Sequence, residues 1–130
     1  MSGIRGKNTK PEILLRKLLH NRGFRYRLHT GLPGKPDLVF PKYDAVIFVH
    51  GCFWHRHECH IFKWPSTRPE FWRTKIEGNA LRDRRNAAAL EEKGWRVGIV
   101  WECSLRSRDQ ARIADRCARW LKSSSKHLEI

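Results

Sequence analysis

The sequence predicts a single α/β domain of three layers, a small mixed sheet flanked by helices, spanning all 130 residues. Three observations predict it. The length suits one hydrophobic core. Segments of helical and strand period follow one another in the order αβββαβα, which puts helices on the faces of a sheet. Two short stretches, residues 45–49 and 95–101, are apolar enough to read as buried strands.

Each element has a local reason. Thr9-Lys10-Pro11-Glu12 is a capping-box pattern, and it opens a helix whose apolar residues are Ile13, Leu14, Leu15, Leu18 and Leu19. Asn21-Arg22-Gly23 stops that helix. Residues 24–28 alternate as a strand with one wet face does. Gly31, Pro33, Gly34 and Pro36 force an irregular turn. Short strands follow at residues 37–40 and 45–49, the second one central, joined by Pro41-Lys42-Tyr43-Asp44. A helix over about 69–93, polar on much of its surface, ends at Gly94 ahead of the strand at 95–101. Residues 109–122 form an amphipathic helix that buries Ile113, Cys117, Trp120 and Leu121. Residues 123–130 are expected as a flexible tail.

The charge balance sets the class of partner. Twenty-seven Lys and Arg stand against 13 Asp and Glu, a formal net charge of +14. A polyanion is the natural partner of such a chain, nucleic acid ahead of an acidic membrane. The longest uninterrupted apolar run, residues 45–49, falls far short of the roughly 20 residues that span a bilayer. Met1-Ser2-Gly3-Ile4-Arg5 lacks the apolar stretch of a secretory signal, so a cytoplasmic protein with no membrane contact is expected.

Residues 51–67 match neither period and are dense in Cys, His and Trp. His50, His55, His57 and His60 fall within eleven residues that also hold Cys52 and Cys59. Without an export signal such density favours a metal over a disulfide. A structural zinc ion takes four protein ligands and staples a loop that has no core of its own. Cys103 follows a buried strand at Trp101-Glu102, where a sheet edge presents it to the loop. Cys117 lies on the apolar stripe of the last helix and reads as a small buried hydrophobe. The expected ligands are therefore Cys52, His57, Cys59 and Cys103, although spacing alone does not choose among His55, His57 and His60.

A second cluster is acidic. Asp37 opens a strand behind a rigid Pro-containing turn, and the next strand ends at Val49-His50. Pairing of those strands brings Asp37 close to the Val49 carbonyl and the His50 ring. One carboxylate, one backbone carbonyl and several waters suit Mg²⁺. His50 and His55 titrate near neutrality and are candidates for proton transfer or phosphate contact. These are the parts of metal-assisted phosphodiester cleavage. The competing reading of Asp37 is a turn-former. For Glu12, three residues after Thr9, spacing alone favours the cap.

Taken together, Pro36-Asp37, Phe48-Val49-His50-Gly51-Cys52-Phe53-Trp54-His55, Phe62-Lys63-Trp64-Pro65, Arg68-Pro69-Glu70-Phe71-Trp72, Leu81-Arg82-Asp83-Arg84-Arg85 and Gly94-Trp95-Arg96-Val97 through Val100-Trp101-Glu102-Cys103 resemble the very-short-patch-repair DNA mismatch endonucleases. The resemblance covers nearly the whole chain. It implies a restriction-endonuclease-like fold and a Mg²⁺-dependent nick 5′ of the thymine in a T·G mismatch. By the same resemblance Asp37 is the metal carboxylate, Val49 lends its backbone carbonyl, His55 is the general base and His50 a second catalytic histidine. Glu12 then helps to order the water at the metal, and Cys52, His57, Cys59 and Cys103 are structural zinc ligands. Phe53, Trp54 and Trp72 correspond to aromatic side chains that wedge into the DNA stack, with Lys75 and Asn79 also at the DNA. The broader fold's acid-x-Lys is replaced here by Phe48-Val49-His50, so proton chemistry falls to histidine. The implied setting is a monomer at the bacterial nucleoid, acting on duplex DNA beside other repair proteins. Two alternatives compete: a restriction-like endonuclease of other specificity, and a zinc-stapled DNA-binding module without turnover.

Overall fold

A computed structural model describes residues 10–28, 31–51, 66–106 and 109–130. The chain opens with α1 (Lys10–Asn21) and then forms β1 (Leu38–Phe40), a 3₁₀ turn (Pro41–Tyr43) and β2 (Ala45–His50). It continues through α2 (Pro69–Glu92), β3 (Arg96–Trp101), α3 (Glu102–Leu105), α4 (Gln110–Lys122) and β4 (His127–Glu129). The sheet runs in the order β1-β2-β3-β4. β1 lies antiparallel to β2, with Leu38 opposite Ile47, whereas β2, β3 and β4 are mutually parallel. The expected mixed sheet is present, and β2 and β3 are its two central strands.

Side chains alternate across a strand, so each face of this sheet builds its own core. On one face Leu38, Phe40, Ile47 and Val100 pack with Leu15 and Leu19 of α1 and with Ile113, Cys117, Trp120 and Leu121 of α4. On the other, Val39, Val46, Phe48 and Val97 pack with Leu90 of α2. The result is three layers, helix–sheet–helix. Gly98 makes room for α4: a side chain there would meet the Trp120 ring at 3.1 Å. Burial pushes the Cys117 thiol up to about 12, as expected for a core thiol rather than a metal ligand.

Four details depart from the sequence reading. Residues 24–28 form no full strand; Arg27 makes a single antiparallel bridge to Val39. Val39 turns its N–H and C=O toward Arg27, and its neighbours turn theirs to β2, so only one residue of β1 is open for pairing there. The last eight residues are not simply a tail, because β4 pairs Val97, Gly98 and Ile99 with His127, Leu128 and Glu129. The Trp101 indole N–H anchors that strand by donating to Glu129 at 2.8 Å. Ile13, on the apolar list for α1, is 39% exposed because it points away from the Leu15–Leu19 stripe. Finally, Cys103 sits in α3, past the carboxyl end of a central strand rather than at a lateral edge of the sheet.

Candidate active site

β1 begins one residue after Asp37, and that offset shapes the candidate site. The Asp37 N–H donates to the Ile47 carbonyl at 3.1 Å. Its side chain then does what a further strand residue would do, with Oδ2 accepting from the Val49 N–H at 2.6 Å. Along a strand the N–H and C=O of one residue face the same edge. The Val49 carbonyl therefore faces the edge that Asp37 occupies, and the contact made there is to the Val49 N–H.

α1 brings the second carboxylate. Glu12, in its first turn, is 3% exposed and hydrogen-bonds the Asp37 side chain. One turn on, Arg16 Nη2 donates to Glu12 Oε2 at 3.2 Å, with the Arg16 side chain only 13% exposed. Glu12 thus faces inward in a carboxyl pair. Thr9, its proposed capping partner, lies outside the described residues. Burial, and after it the Val49 hydrogen bond and the charge and hydrogen bond of Glu12, leave Asp37 pushed up to about 8, the Val49 bond alone among these pulling the other way. Asp37, largely withdrawn from water and beside a second carboxyl group, does not ionise cheaply.

His50 ends β2 at the same end of the sheet. It is 5% exposed, its ring 5.1 Å from the paired Trp101 and 5.6 Å from Phe48. Cys103 lies two residues past Trp101, half-buried. Among the described residues no three His, Cys, Asp or Glu side chains gather as a metal-holding group. The expected residues Cys52, Phe53, Trp54, His55, His57 and Cys59 all lie outside the described residues.

α2 supplies the remaining candidates. Trp72, Lys75 and Asn79 share one side of the helix by their spacing of three and four. Trp72 is half-buried with its ring edge-on to Phe71 at 5.1 Å, Lys75 is exposed, and the Asn79 carbonyl accepts from Arg82. Exposed Arg73, Lys75, Arg82, Arg84 and Arg85 make the outer surface of α2 basic. Two features lie beyond the sequence reading. Arg16 was recoverable from its i,i+4 spacing to Glu12. The packing of Gly34 on Asn86, where a Cβ would stand 2.8 Å from the Asn86 side chain, carries no sequence signal.

Comparison with known proteins decides the family. The family model of the DNA mismatch endonuclease Vsr matches residues 1–61. The Escherichia coli DNA mismatch endonuclease Vsr is 46% identical over 125 residues, 93% of this chain and 80% of the relative. This chain belongs to the Vsr family of DNA mismatch endonucleases. The type II nicking enzyme V.XorIIP of Xanthomonas oryzae pv. oryzae is 54% identical over 106 residues, 81% of this chain and 78% of the relative. V.NmeAIP of Neisseria meningitidis, also a type II nicking enzyme, is 46% identical over 109 residues, 83% and 78% of the two chains. The Vsr match spans Glu12, Asp37, Val49 and His50, so the carboxyl pair and the strand end that holds it lie within the family's own region. Membership in Vsr makes the chain a DNA endonuclease of very-short-patch repair and sets aside the module without turnover.

Proposed function

We propose that this endonuclease nicks duplex DNA 5′ of the thymine in a T·G mismatch, with Mg²⁺ at Asp37. The observation that carries the reading is the Glu12–Asp37 carboxyl pair, Glu12 buried and Asp37 half-buried just before the amino end of β1, against the backbone of Val49. The pair fits a divalent cation. Its donors are hard oxygens, the Val49 carbonyl faces the same edge, and the raised Asp37 value marks negative charge short of a partner. Asp37 and the Val49 carbonyl would hold the ion, which supplies Lewis acidity at the scissile phosphate and eases deprotonation of water.

The chain's own residues divide the rest. Glu12, fixed by Arg16, orients the attacking water. His55 takes its proton and His50 stands near the phosphate. Phe53, Trp54 and Trp72 wedge beside the mismatch, since a wobble pair is less well stacked and opens at lower cost than a matched step. Lys75 and Asn79 touch the DNA from α2. Three thiolates and an imidazole, from Cys52, Cys59, Cys103 and His57, are a donor set suited to structural Zn²⁺. The enzyme works as a monomer in the bacterial cytoplasm at the nucleoid, with other repair proteins following it. No helix among the described residues is long and apolar enough to cross a membrane.

The test is a nicking assay on paired duplexes that differ only in T·G against T·A, with and without Mg²⁺, the cut mapped on each strand. A single nick 5′ of the mismatched thymine, dependent on Mg²⁺, is expected. Equal cutting of both duplexes would instead support the restriction-like alternative.

A further inference from the structure

Among the described residues, three other than glycine hold a left-handed backbone: Lys35 at φ 51°, Asp44 at φ 50° and Arg68 at φ 49°. An L side chain is crowded in that conformation, and glycine adopts it freely. Two of the three have an evident reason. Asp is a type that tolerates the conformation, and Asp44 closes the 3₁₀ turn while its carbonyl accepts from the Arg96 N–H at 2.7 Å. Arg68 opens α2 with its guanidinium 4.4 Å over the Phe71 ring. Lys35 has neither account. It is exposed, and its ammonium makes no hydrogen bond, ion pair or ring contact among the described residues.

Its backbone is nonetheless fixed. The Lys35 N–H donates to the Leu32 carbonyl at 2.9 Å. The preceding Gly34, at φ 75°, is seated against Asn86 of α2 with no space for a side chain, and the ring of Pro36 follows. Strain of this kind persists where the surrounding packing over-determines the chain, and it gathers at functional sites. What the turn presents, two residues before Asp37 in the sequence, is an exposed cation with no partner among the described residues. Asp37 is committed to the Val49 N–H and Glu12 to Arg16, and neither is a partner of Lys35 among the described residues.

We propose that Lys35 contacts a backbone phosphate of the DNA beside the position that is cut, and that the left-handed turn holds it there. The inference rests on the reading that Asp37 marks the cutting site. A phosphate contact adds affinity for any duplex and gives salt dependence without sequence information.

Lys35→Gly, Lys35→Gln and Lys35→Arg test it, with binding to T·G and T·A duplexes measured over a salt series beside a thermal melt. Lys35→Gly should melt at or above the wild-type temperature, since glycine relieves the backbone. It should nonetheless bind both duplexes several-fold more weakly, with the slope of log K against log salt shallower by about 0.9. Lys35→Gln should show the same slope loss, and Lys35→Arg should keep the wild-type slope. Wild-type slope and affinity in the Gly and Gln variants would overturn the contact, as would a lower melting temperature with the slope unchanged. Nicking by the wild-type enzyme is scored separately. A slope loss in a protein that fails to nick would leave the phosphate contact standing and remove the cutting reading.

Discussion

At Asp37 one carboxyl group answers to two neighbours with opposite demands. The Val49 N–H favours its ionised form, while burial and the Glu12 carboxyl favour the protonated one, and the balance leaves it pushed up to about 8 from 3.8. A folded-state value above the unfolded one means that this group's contribution to stability is whole below about pH 4 and is lost as pH rises through about 8. Asparagine can still accept from Val49 and has no charge to bury. Asp37→Asn should therefore abolish Mg²⁺-dependent nicking, yet in chelator melt increasingly above the wild type as pH goes from 5 to 9. Melting curves at the two ends of that range check it, and equal differences at both would sink the argument. Asp37 was legible in the sequence as an acid beside a buried strand. Glu12 was less so, because a capping box predicts the same residue at the same spacing, and only its burial against Asp37 separates the roles.

The elements differ in how plainly the sequence announces them. α4 was readable nearly to the residue, because Ile113, Cys117, Trp120 and Leu121 recur on one face and are all buried. β4 was not, since His-Leu-Glu has no usable period and is ordered by what β3 offers it. α2 is the intermediate case. Its 24 residues were expected within one residue at the carboxyl end, but only Ile76 and Leu90 are buried, so its fold value and its surface value are separable. Trp72 stands where they meet, on the face of Ile76 and half-exposed. If it stacks on an opened step, Trp72→Ala loses a contact worth about 1–3 kcal/mol, mainly on the T·G duplex. The preference for T·G over T·A should narrow with little change in salt slope. A uniform loss on both duplexes, together with a lower melting temperature, would assign the ring to the core instead. Competition binding at one salt concentration, beside a melt, distinguishes these results.

Across the whole molecule, the Arg96 hydrogen-bond cluster and the candidate site residues occupy opposite ends of the sheet. At the amino end of β3, Arg96 donates to the Tyr43 carbonyl at 2.9 Å, to Trp120 at 2.9 Å, to Leu121 at 2.8 Å and to Ser125 at 3.1 Å. Its guanidinium also lies 4.9 Å over the Trp120 ring. One side chain thereby satisfies the open carbonyls at the end of α4 and ties them to the turn before β2. Arg96→Met should cost roughly 3 kcal/mol, on the order of 10 °C in melting temperature, because several charge-assisted bonds go at once. Differential scanning calorimetry reads this directly, and a shift within about a degree would mean that water replaces the guanidinium freely. No periodicity pointed to Arg96, since its partners are backbone atoms gathered from three distant segments. At the other end lie Asp37, His50 and Cys103, five residues along β3, roughly 16 Å away. Because β2 and β3 run parallel, their carboxyl ends coincide, and so do their amino ends. That polarity works like a handle and a blade. A protein engineer therefore has two separate targets, the Arg96 end for resistance to heat and, at the far end, the place where cutting is proposed.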